Sequence, residues 1–365
     1  MHLLRTTHNL LTSCGCWQPR SSSLLKQYAY NVYCYYVLLL LYACTFCQFM
    51  DLLLNVETED EFCDNIYLTL AMIVACQKIY SVLNGYKNIV VMTNMLENEP
   101  FQPETEEEAQ IRNKCDKQAR SNAILYAVLI ESTVTTVAIG GALKAGRNTL
   151  PYRVWLPYSY TSLTVHIFIY VQQVISMVIA GMVNVSVDSL IWGLLMYVYS
   201  QIEIFECRLK KIKRNEENVA KQCIRYHNLI YQFAAMLNEE FKTVILVQFA
   251  QSILTICIRF YVLTLREITP VLAFEALCYS STLLTQIYVF CWYGNEIKLK
   301  SLDISNMIFQ LNWTPLDAPI KRDLLLIMTR AMSPIEITSA YLVTMNLESF
   351  RVVSKKQYIS LVCYV

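Results

Sequence analysis

Apolar residues in this chain gather into seven blocks, and charge collects in the connectors between them. The blocks are Tyr28–Leu54, Ile66–Leu83, Ala123–Leu143, Leu163–Tyr199, Val244–Leu265, Pro270–Trp292 and Ile335–Tyr364. A hydrocarbon core of about 30 Å is crossed by ~20 helical residues, and each block is near or above that length. Lipid offers the backbone no hydrogen-bond partners, so spans of this kind must be helices rather than open strands. The fourth block is too long for a simple crossing. Either a turn is hidden near Gly181 or one long helix continues past the membrane, and the helix-forming composition of Gln201 to Arg214 favours one long helix. From Val219 onward Ile224, His227, Leu229, Ile230, Phe233, Leu237 and Phe241 recur at three- and four-residue intervals. That spacing predicts an amphipathic helix leading into the fifth span. Pro100-Phe101-Gln102-Pro103 reads as a breaker that ends an extension of the second span.

Composition agrees with the pattern. The chain has 365 residues, 55% hydrophobic and 16% charged, where a soluble domain carries about a quarter charged. A formal net charge of +1 implies no field for nucleic acid. Most of the 14 cysteines lie within apolar blocks, where a thiol packs as a small hydrophobe, and Cys14-Gly15-Cys16 alone makes a weak metal motif. Met1 to Arg20 holds no sustained apolar run, so the first block is expected to act as a spanning helix and insertion signal, not as a cleaved leader.

The connectors predict orientation. Loop one (Asn55 to Asn65) is acidic and without a base, and loop five has only Arg266. Loop three has Lys144, Arg147 and Arg153. Bases are far more frequent in the N-terminal tail and in loops two, four and six, exemplified by Arg208, Lys210, Lys211, Lys213 and Arg214 in loop four. Basic residues accumulate on the cytoplasmic side. The expected fold is therefore an all-α membrane protein with seven transmembrane helices, N-terminus cytoplasmic, C-terminus extracellular, and an intracellular helical anchor layer. Its segments are a tail (1–27), helices one to four (28–199), a cytoplasmic connector (200–243), helices five and six (244–292), an anchor segment (293–333) and helix seven (334–365). The sequons at Asn184 and Asn312 then fall in a membrane helix and on the cytoplasmic side, where neither is glycosylated.

Polar residues within spans default to functional candidates. Lys78, Glu131, His166, Gln172, Gln173, Asp188, Arg259 and Glu275 qualify. Lys78 and Arg259, near span ends, read as side chains reaching toward an interface. His166 and Glu275 lie near the outer ends of their helices, where a cavity open to the outside would sit, with a satisfied structural pair as the alternative for each. No HExxH, GxSxG or P-loop pattern occurs, so nothing argues for an enzyme, a metal or a cofactor. An apolar and aromatic set in the outer halves of helices two, three, four and six suits a small, weakly polar ligand: Leu68, Met72, Thr136, Ile139, Tyr170, Val174, Phe274 and Tyr279. The last block is the most polar. Thr344, Glu348, Arg351 and Lys355 fall on one helical stripe, with Glu348 ~21 Å beyond Pro334 at ~1.5 Å per residue. Such a stripe faces protein or water, and several copies around an axis would line a pore.

Several stretches resemble the insect odorant receptors. They are Gly15-Cys16-Trp17-Gln18-Pro19, Asp188-Ser189-Leu190, Tyr226-His227-Asn228, Tyr293-Gly294-Asn295-Glu296, Trp313, Ile327-Met328-Thr329-Arg330-Ala331, Pro334, Leu347-Glu348-Ser349-Phe350 and Tyr358. The resemblance implies an inverted seven-helix subunit of a tetrameric, odorant-gated, non-selective cation channel. It implies an odorant co-receptor subunit in a heterotetramer, membrane lipid around it, and a place in the plasma membrane of a sensory-neuron dendrite. It further implies an anchor layer including His227, Trp313 and Pro334, and a gate around Tyr358, Leu361 and Val362. In place of the family's Ser-Tyr-Ser-Tyr-Phe-like run, Gln357-Tyr358-Ile359-Ser360-Leu361 keeps the first tyrosine. The chain stops at Val365, earlier than the family's closing apolar tail leads one to expect. A gustatory receptor is the nearest alternative, but its Thr-Tyr-(five apolar)-Gln-Phe signature is absent. A G-protein-coupled receptor would require the opposite orientation, and a transporter an internal repeat.

Overall fold

The computed structural model describes residues 5–18, 23–143, 150–157, 162–212, 217–265, 270–339 and 343–351. They form nine helices and one small hairpin. The helices are α1 (Arg5–Ser13), α2 (Leu24–Leu54), α3 (Glu59–Asn84), α4 (Tyr86–Glu97), α5 (Glu106–Leu143), α6 (Leu163–Lys210), α7 (Glu217–Leu265), α8 (Pro270–Phe309) and α9 (Ala318–Ala331). Strands β1 (Thr338–Ser339) and β2 (Val343–Thr344) pair antiparallel, with Thr338 opposite Thr344.

Local chemistry sets the helix starts. Thr58 caps α3 by accepting from the Glu61 amide, while the Glu61 carboxylate accepts from the Glu57 amide. Thr105 and Glu108 repeat that reciprocal arrangement ahead of α5. Both first turns are acidic, which suits the positive end of a helix. The Pro100–Pro103 breaker falls between α4 and α5; the extension expected to end there is a separate helix, α4, because α3 stops at Asn84 before Gly85. The fourth block is a single helix of 48 residues, with no turn at Gly181. The amphipathic segment also continues without a break into the fifth span, as the 49-residue α7.

The bundle is built around α6, which packs on α1, α2, α3, α5, α7 and α8. Every residue from Val185 to Val198 is buried. A helix apolar all round belongs at the centre of a bundle. By contrast α2 exposes Leu25, Tyr35, Leu39 and Phe46, an apolar face suited to lipid or a neighbouring subunit. Among the described residues α2, α3, α5, α6 and α7 are long and apolar enough to cross a membrane. Helix α8, the sixth expected span, is interrupted by Glu275, Ser280, Ser281, Thr282 and Gln286.

At one end the extensions of α6, α7 and α8 pack with α4 and α9 into a helical layer. Arg208 organises part of it. It pairs with Glu108 at 2.9 Å and Glu104 at 3.2 Å, and donates to the carbonyls of Pro100 and Gln102. His227 stacks on Phe205, the Trp313 indole donates to the Ile308 carbonyl, and half-buried Pro334 follows the end of α9.

Within the N-terminal tail α1 docks on α6, burying Leu11, Cys14, Cys16 and Trp17. Two expectations are corrected. Helix seven does not begin at Ile335. Residues 335–339 and 343–346 are not helical, and helix resumes only at 347. The β-branched Ile335, Ile337 and Thr338 favour extended backbone there. The backbone finds other partners: the Ile335 amide donates to Ser301, and the Thr338 amide to Asn238. Thr344 therefore lies in β2 and shares no helical stripe with Glu348, and the depth assigned to Glu348 by counting helical turns from Pro334 does not hold. Lys355, Tyr358, Leu361 and Val362 lie outside the described residues.

Candidate functional site

The bundle encloses a cavity of about 110 Å³. Helix α3 supplies Leu68 and Met72, α5 supplies Ile130 and Val137, α6 supplies Met177 and α8 supplies Tyr279 and Leu283. Gly181 permits the close approach of α5 and α6 beside it. A Cβ there would sit 2.9 Å from Glu131 Oε1 and 3.1 Å from Ile130 Cγ2. Apolar walls with a few polar groups suit a small, weakly polar ligand. Helix ends and a returning loop close one side. The Tyr152 carbonyl accepts from Gln173, its hydroxyl meets Ser176 Oγ at 3.0 Å, and the Trp155 amide donates to Cys47.

Of the eight expected ligand residues, Leu68, Met72 and Tyr279 line the cavity. The other five do not. Ile139 and Phe274 point outward, at 52% and 59% exposure. Thr136 returns its hydroxyl to Ser132, Tyr170 donates to the Ala138 carbonyl, and Val174 is half-buried away from the cavity. The failure is one of helical phase. Consecutive residues are about 100° apart around a helix, so the α5 face that lines the cavity is Ile130, Thr133, Val134 and Val137, and Thr136 misses it.

The polar side of the cavity is a continuous network. Lys78 Nζ lies 2.7 Å from Asp188 Oδ1 and 2.9 Å from Asn184 Oδ1, and both charges are fully buried. Asp188 Oδ2 also accepts from the Tyr126 hydroxyl at 3.0 Å and from the Gln286 amide. Gln286 in turn accepts from Gln248 at 2.7 Å, and Gln248 reaches Gln251 and Ser252 at 3.0 Å. A second buried pair joins Arg259 to Glu275 at 2.8 Å. Tyr67 donates to Glu275, and its ring lies 4.2 Å beneath the Arg259 guanidinium. Lys78 and Arg259 thus do not reach toward an interface. Each is held in the interior by a carboxylate, which offsets the cost of removing its charge from water. Glu275 faces Arg259 and Tyr67 rather than an open cavity, and His166 is buried at 8% exposure.

Sequence reasoning missed Gln48, Gln248, Gln251 and Gln286, all of which line the cavity. The available signal was an amide within an apolar span. The sequence pattern marks Gln172 and Gln173 instead, and places the ligand set on spans two, three, four and six, without α2 and α7.

A long-helix bundle with several membrane-capable spans and a buried, apolar-walled chamber is the architecture of a multi-pass membrane receptor for small molecules. A family model described as 7tm Odorant receptor matches residues 58–358, and the chain belongs to that family. It is 24% identical over 268 residues to odorant receptor 46a, isoform A, of Drosophila melanogaster, covering 71% of this chain and 70% of that one. With odorant receptor 10 of Aedes albopictus it shares 27% identity over 248 residues, covering 65% and 64%. The solved structure of the insect olfactory receptor OR5 from Machilis hrabei in complex with eugenol is similar in fold, with a TM-score of 0.85 at 16% identity, covering 99% of this chain and 96% of that one.

Proposed function

We propose that this chain is the odorant-binding subunit of a ligand-gated, non-selective cation channel, assembled with a co-receptor into a heterotetramer in the plasma membrane of sensory-neuron dendrites. Seven spans place the N-terminus in the cytoplasm and the C-terminus outside, as the distribution of basic residues favours. A small odorant occupies the cavity between α3, α5, α6 and α8, and the helical layer holds the subunits together. The last helix, with Glu348 near its start, lines the pore, and Tyr358, Leu361 and Val362 form the gate. The odorant opens the channel by the difference between its affinities for the open and closed states.

The observation that carries the reading is the cavity itself, apolar-walled and buried at the centre of a bundle of this family. Its test is expression with and without a co-receptor, recording currents to an odorant panel while epitope tags report both termini. Odorant-evoked cation current that requires the co-receptor is expected, with the N-terminal tag reached by antibody only after permeabilisation. Surface expression without current from any co-receptor pairing would sink the channel reading. An N-terminal tag accessible on intact cells would sink the orientation.

A further inference from the structure

Gln48 lies in α2, is 1% exposed, and lines the cavity. Both its Oε1 and its Nε2 are buried without a hydrogen-bond partner. Gln248 Oε1 on the same wall is also buried without a partner, but Gln248 Nε2 is bonded, so Gln48 alone has both amide functions unpaired; the other polar groups on the wall are largely spoken for. Thr133 and Thr282 bond each other at 2.9 Å, Tyr126 donates to Asp188, and Asn184 holds Lys78 while donating to the Ala180 carbonyl. A carboxamide removed from water with neither function paired is costly, and such a group in a ligand-sized cavity points to a polar ligand atom.

We infer that the cavity selects small hydroxyl-bearing molecules, with Gln48 as the polar anchor. The inference rests on the reading of this cavity as the odorant site. An alcohol oxygen can accept from Gln48 Nε2 while its O–H donates to Oε1, so one ligand group satisfies both functions of the amide. A ketone or ester can only accept, and leaves Oε1 unpaired. A hydrocarbon leaves both unpaired. Charged ligands find no counter-ion, because Lys78 is already paired with Asp188 and Arg259 with Glu275. Size narrows the class further. A cavity of about 150 Å³ holds benzene, so the 110 Å³ here takes a small ring or short chain only as the flexible side chains of its wall give way. Larger ligands would have to displace Met72 and Met177, whose unbranched side chains adapt.

The test compares cyclopentanol, cyclopentanone and methylcyclopentane, matched in skeleton, for binding to the purified full-length chain in lipid nanodiscs. Ligand-induced thermal stabilisation is the readout, so the result does not depend on channel opening. In wild type the affinity order is alcohol, then ketone, then hydrocarbon, with about tenfold, or about 1.4 kcal/mol, between the first and last. Gln48→Met, close in shape and apolar, brings the ratio of alcohol to hydrocarbon affinity close to one. Gln48→Asn, which keeps the carboxamide, retains a reduced preference and guards against a folding defect. A flat series in wild type, no binding by any of the three, or an undiminished alcohol preference in Gln48→Met would overturn the inference. Binding with the expected preference but no odorant-evoked current would instead fault the channel reading and leave the role of Gln48 intact.

Discussion

His227 shows how one side chain takes its properties from its neighbours. Its ring stacks on Phe205 at 4.9 Å and meets Tyr231 edge-on, and its Nε2 is buried without a partner. Burial, with a smaller contribution from the Arg330 charge, lowers its pKa from 6.5 to about 4. Between those values the unfolded chain holds the proton and the folded chain does not, so stability rises with pH across that window. The full effect is about 3 kcal/mol, present above pH 6.5 and lost as pH falls through 4. The thermal midpoint of purified protein should therefore drop more steeply between those pH values in wild type than in His227→Phe. Equal slopes would place the sensitivity elsewhere. The sequence marked His227 for the helical layer through its spacing and its family context. The stack on Phe205 was not legible, because it joins residues on two long helices whose relative rotation only packing sets.

At the scale of elements, the turn into the last span carries the clearest lesson. Its apolar run reads as the start of a helix from Ile335. The structure instead folds it into a hairpin held by Asn238 and Ser301, then brings Met345 against α8. Gly294 makes that contact possible: a Cβ there would lie 2.3 Å from the Met345 carbonyl oxygen. Gly294→Ala should lower stability by about 1–3 kcal/mol through overpacking against backbone. The checks are the midpoint in detergent and the amount reaching the cell surface. An unchanged midpoint would mean that the hairpin shifts freely. Hydropathy located this block but not its conformation, because apolar content reports burial and says little of backbone path. The long helices were easier, since α6 and α7 keep one helical composition over dozens of residues with no proline.

For the whole molecule, the Lys78–Asp188 pair acts as a tie. It joins α3 to α6 directly, and through Tyr126 and Gln286 it reaches α5 and α8. Breaking one side of a buried pair costs about 3–5 kcal/mol, because the remaining charge is stranded. Lys78→Met should thus reduce stability by about that amount. Lys78→Met combined with Asp188→Leu should recover part of it, although Tyr126 and Gln286 then lose their acceptor. A double-mutant cycle on thermal stability measures the coupling, and additive losses would show that the two charges do not act as a pair.

Sequence by itself determined the membrane class, the position of the long apolar helices, the breaker after α4, the continuous α6 and α7, and the family. The family is legible through its motif resemblance, and the rest follow from local physics: hydropathy over a span, helix propensity and proline. Only the tertiary structure decided which residues face the cavity, that α2 and α7 contribute to it, that Lys78 and Arg259 are paired in the interior, and that Thr344 belongs to a hairpin. Each of these depends on the rotation of one helix against another. A rotation of 100° moves a neighbouring residue from the cavity to the lipid without changing the apolar pattern, so the pattern could place Leu68, Met72 and Tyr279 on the cavity wall but could not tell Thr133 from Thr136, or single out Gln48.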